Sequence, residues 1–175
     1  MNRRAMMTSL AGASLMTTAP AFGQTTPTAD DRAAVQHWLD ECVAAWAASD
    51  AERMYRTAAD DLEWINIVGM HWRGKADVVA AHVAYLTTMF RDVSLTLEAI
   101  ESLKAVGPDV VLAVVRWSVG PFTTPAGHVM PASIDRMTLV FRRTPNGLSL
   151  SHGANIQVDA GAAAFDPVRR PSTGA

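Results

Sequence analysis

The spacing of apolar residues changes from helical to strand-like near residue 90. Before that point, apolar positions recur at helical intervals, which predicts one helix over Asp31–Ala48 and another over Lys75–Phe90. The capping-box pattern Ser49-Asp50-Ala51-Glu52 predicts a short helix between them that runs to about Ala59. The intervening stretch Leu62–Met70 is predicted to form a strand.

After Phe90 the chain alternates apolar and polar residues, with turn residues between the alternating stretches. Four strands are predicted there, over Ser94–Leu103, Val110–Val119, Ser133–Arg143 and Leu148–Val158. The last two are joined by Pro145-Asn146-Gly147, and Asn-Gly is a strong signal for a tight hairpin. Helices followed by strands predict an α+β fold, with three N-terminal helices packed on one side of a curved, mainly antiparallel sheet.

The segment Val110–Val115 is apolar on both faces of its predicted strand. One face can pack against the helices, but the other also needs cover from water. A second copy of the protein laid against the sheet would provide that cover. The competing explanation is a C-terminal tail that folds back over the sheet.

Composition and charge fit a single globular domain without a polyanionic partner. The chain has 175 residues, 49% of them hydrophobic, which is enough for one core. Its formal net charge is −2, so we expect neither nucleic acid nor an anionic membrane as a partner.

The first residues have the pattern of an export signal. Arg3 and Arg4 precede a short apolar stretch that ends in Ala19-Pro20-Ala21, a small-x-small cleavage signal. The arginine pair resembles the twin-arginine type, which predicts a periplasmic or secreted protein cleaved after Ala21. The alternative is a cytosolic protein with an irregular N-terminus, and the intact mass of the mature protein distinguishes the two. The apolar stretch is too short to span a membrane.

These patterns divide the chain into four parts. We predict a signal peptide over residues 1–21, a flexible leader over 22–30, one domain over 31–159 and a flexible tail over 160–175.

The cysteine and histidine content indicates neither a disulfide framework nor a metal site. The single cysteine, Cys42, shares a predicted helix face with Val35, Trp38 and Leu39, and we expect it to be a small buried hydrophobe. The five histidines show no metal-ligand spacing, so no metal is predicted. No glycine-rich phosphate loop follows a strand, so no cofactor is predicted either.

Three ionisable residues are predicted to point into the core. Strand parity places Asp135 on the apolar face, where an unpaired carboxylate is costly. The alternative for Asp135 is a wet strand end or a pair with an arginine. His82 lies on the apolar side of its helix, and His152 shares strand parity with Leu150, so both are expected to point inward. A structural role is the alternative for each histidine.

Other residues are candidates for the wall of a pocket. Asn66 shares a predicted strand face with Trp64, so its amide needs a partner in the interior, either a ligand or a structural contact at a bulge. The remaining wall candidates are large and mostly aromatic: Trp64, Trp72, Trp117, Tyr85 and Met54. Such a wall would suit a flat or polycyclic apolar ligand.

Several of these residues carry a resemblance to a known family. Trp64-x-Asn66-x-x-Gly69 followed by Gly74, then His82, and His152-Gly-Ala-Asn155 resemble the SnoaL-like (SgcJ/EcaC) group of the NTF2-like superfamily. The resemblance covers about residues 31–159. It implies a cone-shaped α+β fold, usually dimeric, with a pocket between sheet and helices in which Asn155 contacts the ligand. Members include isomerases, polyketide cyclases, dehydratases and hydrolases, and also non-catalytic binding domains.

The ketosteroid-isomerase branch of that superfamily suggests a mechanism. Ile134-Asp135 resembles the acid that donates to the developing oxyanion, while the position of the base is occupied by Asn66. An amide cannot hold the proton, so His82 or His152 would have to act as base.

Two functions therefore remain open. One is an exported general acid/base enzyme acting on a small apolar carbonyl or hydroxylated compound through Asp135 and a histidine. The other is a non-catalytic dimeric domain that binds a small molecule in the same pocket. An Asp135 carboxyl within hydrogen-bond reach of His82 or His152 would favour the enzyme.

Overall fold

The structure, a computed structural model, describes residues 26–168. The predicted signal peptide and cleavage site lie outside the described residues, so export stays a prediction. The helices are α1 Ala29–Ala47, α2 Ala51–Met54, α3 Lys75–Leu86 and α4 Ala160–Ala163. The strands are β1 Glu63–Ile65, β2 His71–Arg73, β3 Leu95–Ala105, β4 Val110–Val119, β5 Phe122–Thr123, β6 Val129–Met130, β7 Ser133–Thr144 and β8 Gly147–Gln157.

Six strands form one sheet in the order β2-β1-β8-β7-β4-β3, and only the β1–β8 pair is parallel. Helices α1, α2 and α3 precede the long strands, and the core lies between these helices and one face of the sheet. The predicted α+β fold is therefore confirmed. No helix within residues 26–168 is long and apolar enough to cross a membrane.

The predicted strand Leu62–Met70 is wrong, because the chain turns back in its middle. Strands β1 and β2 are separate and antiparallel, and Asn66 begins the turn between them. Asn66 Oδ1 accepts hydrogen bonds from the backbone N–H groups of Val68 (3.1 Å) and Met70 (2.9 Å). An asparagine side chain that bonds its neighbouring backbone competes with a continuous strand. Gly69 supplies the positive φ, 81°, that the turn needs.

Other boundaries also differ from the predictions. Helix α2 ends at Met54 and α3 at Leu86, both earlier than expected. The Pro/Gly-rich loop after β4 contains the small β5–β6 hairpin, which was not predicted. The tail begins with the one-turn helix α4, capped by Asp159 Oδ1, which accepts from Ala162 N at 3.0 Å.

A buried ion pair attaches the start of α1 to the end of β7. Asp31 is 5% exposed and accepts two hydrogen bonds from the Arg143 guanidinium, at 3.1 and 2.6 Å. Asp31 also completes a capping box with Thr28. Burial raises the pKa of Asp31, but the hydrogen bonds from Arg143 and Thr28 outweigh it and lower the pKa below its ordinary value.

A β-bulge in β8 reverses the direction of its side chains. Phe141 of β7 pairs with Leu150 and Val140 pairs with His152, so Ser151 is an extra residue. Beyond the bulge, Gly153 turns towards the helices and lies opposite Trp64 of β1. A Cβ on Gly153 would lie 2.4 Å from two ring carbons of Trp64. Only glycine therefore allows the Trp64 ring to lie on β8.

We expect Gly153→Ala to destabilise the protein by about 1–3 kcal/mol, because the added methyl group overlaps the buried Trp64 ring. Urea denaturation measures the change. In a Trp64→Leu background the same substitution should destabilise the protein much less, because the ring that the methyl group overlaps is absent. Equal costs in the two backgrounds would show that the contact is unimportant.

Candidate functional site

A cavity of about 340 Å³ lies between the helices and the inner face of the sheet. The β1–β2 turn and the β5–β6 hairpin both contribute residues to its lining. The walls are mostly apolar, and eight lining residues are aromatic: Trp46, Tyr55, Trp64, Trp72, Tyr85, Phe90, Trp117 and Phe122.

Asp135 is the one carboxyl among the residues that line this cavity. It is 3% exposed, and it lies opposite Trp117 of β4 and Gln157 of β8. Its oxygens accept hydrogen bonds from Ser133 Oγ (3.1 Å) and Asn155 Nδ2 (3.0 Å). Burial raises the pKa of Asp135, and these two hydrogen bonds offset only part of that shift.

His82 lines the opposite side of the cavity and has both ring nitrogens occupied. Nδ1 lies 2.8 Å from the carbonyl oxygen of Val78, which can only accept, so Nδ1 carries the proton. Nε2 then accepts a hydrogen bond from the Tyr55 hydroxyl at 3.0 Å. Burial lowers the pKa of His82 to about 4, so the imidazole is neutral at physiological pH.

The aromatic residues form a connected wall around His82. The rings of Tyr55, Trp64 and Trp72 each contact the imidazole edge-to-face, with centroids 4.9–5.4 Å away. Tyr85 continues the wall from Trp72. Such arrangements are favourable for aromatic pairs and hold the rings in place.

Comparison with known proteins agrees with this architecture. The model of the SnoaL-like domain matches residues 35–152, which is more than half of the chain. The chain belongs to the SnoaL-like family. No curated protein matches the chain significantly.

Several solved structures share the fold of this SnoaL-like protein. An uncharacterized protein with a cystatin-like fold from Caulobacter vibrioides is 36% identical, with 79% of this chain and 96% of that chain covered and a TM-score of 0.75. An NTF2-like protein from Novosphingobium aromaticivorans is 20% identical, with 80% and 90% covered and a TM-score of 0.59. A ketosteroid isomerase-like protein from Erwinia carotovora is 13% identical, with 75% and 99% covered and a TM-score of 0.61. The last two show a shared fold alone.

The six predicted ligand-binding residues all line the cavity of this SnoaL-like domain: Asn66, Trp64, Met54, Tyr85, Trp117 and Asn155. Asn66 does so from the start of the β1–β2 turn, and its Oδ1 accepts hydrogen bonds from the backbone of that turn. Cys42, predicted to be a small buried hydrophobe, is buried, and burial raises the pKa of its thiol to about 12.

The three predicted catalytic residues are not brought together. Asp135 and His82 line the same cavity but are not hydrogen-bonded to each other, since each is held by other partners. The inward orientation predicted for His152 is wrong. His152 lies opposite Val140, on the outer face of the sheet, because the bulge at Ser151 shifts the parity of β8.

Sequence reasoning missed three polar residues of the site. Ser133 has the same strand parity as Asp135, so the period-2 rule could have identified it. Gln157 shares the inner face with Asn155, but only once the bulge is known. Tyr55 is the third, and nothing in the sequence pairs its hydroxyl with His82.

Two buried polar atoms of lining residues have no hydrogen-bond partner, Trp117 Nε1 and Asn155 Oδ1. Leaving a buried polar atom without a hydrogen-bond partner costs about 1–3 kcal/mol of folding free energy. A bound molecule that forms a hydrogen bond with either atom would recover part of that cost. Within residues 26–168, no group of three or more His, Cys, Asp or Glu side chains is arranged to hold a metal ion.

We expect His82 to stay neutral, with its proton on Nδ1, as the pH falls from about 6.5 towards about 4. Between these pH values the His82 imidazole is protonated in the unfolded chain but not in the folded protein. The free energy of unfolding therefore falls as the pH falls. Imidazole ¹⁵N chemical shifts report the tautomer and the titration. His82→Phe should flatten this part of the stability profile, and an imidazolium signal for His82 near pH 6 would contradict the assignment.

Proposed function

We propose that this SnoaL-like domain binds a small, mostly apolar molecule whose single polar end reaches Asp135. The observation that carries the proposal is a carboxyl, 3% exposed, on the wall of a mostly apolar cavity. Burying a carboxyl in apolar surroundings is costly unless a partner compensates for it. Ligand pockets commonly combine apolar walls with a few polar groups.

The shape and size of the cavity support a compact ligand. Its volume of about 340 Å³ lies near the lower end of the range for small-molecule sites, roughly 300–1,000 Å³. Five methionines also line it: Met54, Met70, Met89, Met130 and Met137. Because methionine side chains are flexible and polarizable, they can adapt to ligands of somewhat different shape.

The contacts of the two inward-facing ionisable residues favour binding over catalysis by an aspartate–histidine pair. Both nitrogens of His82 are occupied, by Val78 and Tyr55, so neither is free to exchange a proton with a bound molecule. Asp135 is held by neutral partners rather than by a histidine. We therefore infer that His82 supports the wall and that Asp135 is the polar anchor.

Blocking the cavity should abolish ligand binding. Met130 lines the cavity, whereas its neighbour Val129 is 77% exposed and does not. We expect Met130→Trp to eliminate the blue-shifted emission of Prodan, a neutral naphthalene ketone, while Val129→Trp leaves it unchanged. Fluorescence titration measures both variants.

Thermal melts serve as the control, because both variants must remain folded for the comparison to hold. Prodan bound equally by wild type and by folded Met130→Trp would mean that this cavity is not the binding site. Native mass spectrometry of the protein from its own host would identify a natural occupant.

Acid/base chemistry by Asp135 is a second candidate function. Its raised pKa in an apolar cavity is the property of a carboxyl suited to proton transfer. In D₂O, such a carboxyl should speed deuterium incorporation next to the carbonyl of an enolisable ketone such as 2-tetralone. Asp135→Asn should return the exchange, followed by mass spectrometry, to the rate without protein, and exchange unaffected by this change would remove Asp135 from the chemistry.

We also propose that the domain is a homodimer that joins through the outer face of its sheet. Val110, Leu112 and Val114 of β4 are only partly buried on that face. The beginning of the tail does not cover them, since Phe165 and Val168 are themselves 86% and 81% exposed.

Sedimentation velocity tests the dimer. We expect a dimer at micromolar concentration and a monomer for Val114→Arg, because a buried guanidinium without a partner is strongly unfavourable. The matched control is Val83→Arg on the exposed side of α3, which should remain dimeric. A monomeric wild type would refute the interface.

A further inference from the structure

Asp135 differs from the other buried carboxylate of the domain. Asp31 and Asp135 are the two charged side chains that are buried within residues 26–168. Asp31 has a cationic partner in Arg143, at 2.6 Å. Asp135 has only the neutral donors Ser133 and Asn155. Buried charges are normally paired, and within residues 26–168 Asp135 has no positively charged partner.

The side chains that line the cavity include no cation that could pair with Asp135. No lysine or arginine is among the residues that line it. Its one imidazole, that of His82, donates from Nδ1 to Val78 and accepts at Nε2 from Tyr55, so it is held as the neutral form. Within residues 26–168, therefore, no side chain supplies a cation at this site.

A second observation at the same end of the cavity also calls for a hydrogen-bond donor. Asn155 gives its amide N–H to Asp135, which leaves Asn155 Oδ1 buried and without a partner. Each Asp135 oxygen accepts one hydrogen bond from the protein and can accept more. This part of the site therefore has spare acceptors on two neighbouring side chains, which suits a group with several N–H donors.

The walls are also suited to a cation. Eight lining residues are Trp, Tyr or Phe, and one of them, Trp117, lies directly opposite Asp135 on the adjacent strand. Aromatic faces attract cations because the face of the ring carries partial negative charge. An anionic ligand would instead meet a carboxylate and no positive side chain.

From these observations we propose that the ligand of the cavity is a lipophilic primary or secondary amine, whose ammonium group pairs with Asp135 and donates to Asn155 Oδ1. This proposal rests on the binding function proposed above and specifies the chemical class of ligand. The apolar body of the amine would lie against the aromatic wall.

Matched ligands test the charge requirement. 2-Phenylethylamine and 2-phenylethanol differ chiefly in the ammonium group, and calorimetric titration compares their affinities near neutral pH. We expect the amine to bind at least about tenfold more tightly than the alcohol. Asp135→Asn should abolish this preference, because it should weaken binding of the amine far more than binding of the alcohol. The matched control Asp77→Asn removes an exposed carboxylate from α3 and should leave the preference intact.

Each alternative result has a distinct meaning. If the alcohol binds as well as the amine, or if the amine's advantage survives Asp135→Asn, the amine proposal is overturned while the pocket remains a binding site. If neither compound binds, the amine proposal also fails, and Prodan binding that depends on Met130 then decides whether the proposed function survives.

Should Asp135→Asn fail to fold, wild-type protein provides the same test. The amine's affinity should fall on acidification as the carboxyl takes up a proton, and the alcohol's should not. Parallel pH profiles for the two ligands would overturn the proposal.

Discussion

The extra residue at Ser151 is the constraint on which the site depends. Because strand side chains alternate, one inserted residue reverses every side chain that follows it. In β8 it directs Gly153, Asn155 and Gln157 towards the helices and His152 away from them. The polar end of the cavity exists because Asn155 reaches Asp135 from the neighbouring strand. A regular β8 would have placed an imidazole in the core and these amides on the outer face.

The same bulge organises the aromatic side of the cavity. Gly153, turned inward, leaves space for Trp64 to lie on the sheet, and Trp64 packs edge-to-face against Tyr55 and His82. Tyr55 and Val78 then complete the hydrogen bonds of His82. A neutral histidine whose two nitrogens are both hydrogen-bonded stabilises the wall, but neither nitrogen is free to take part in a reaction. The structural side of the cavity at His82 is therefore distinct from the polar side at Asp135.

The sequence predicted those features that depend on uninterrupted periodicity. Strand β4 was predicted with its observed bounds, and Asp135 was placed on the inner face because β7 is regular. Prediction failed where a local interaction interrupts the period. The Asn66 side chain turns the chain between β1 and β2, and the bulge at Ser151 inverts His152. Pairwise contacts such as Tyr55 with His82 depend on tertiary packing, which no single stretch of sequence contains.

Of the two buried carboxylates within residues 26–168, one supports the fold and the other is the proposed ligand anchor. Asp31 is paired with Arg143 and caps α1, so its charge supports the fold. Asp135 has no charged partner, and burial disfavours its ionised form. A site selected for stability alone would favour an apolar residue or an arginine beside it, since an unpaired buried carboxyl is costly. Natural proteins keep such costs mainly where a ligand or a reaction requires them, which is the reason for proposing that Asp135 anchors a ligand.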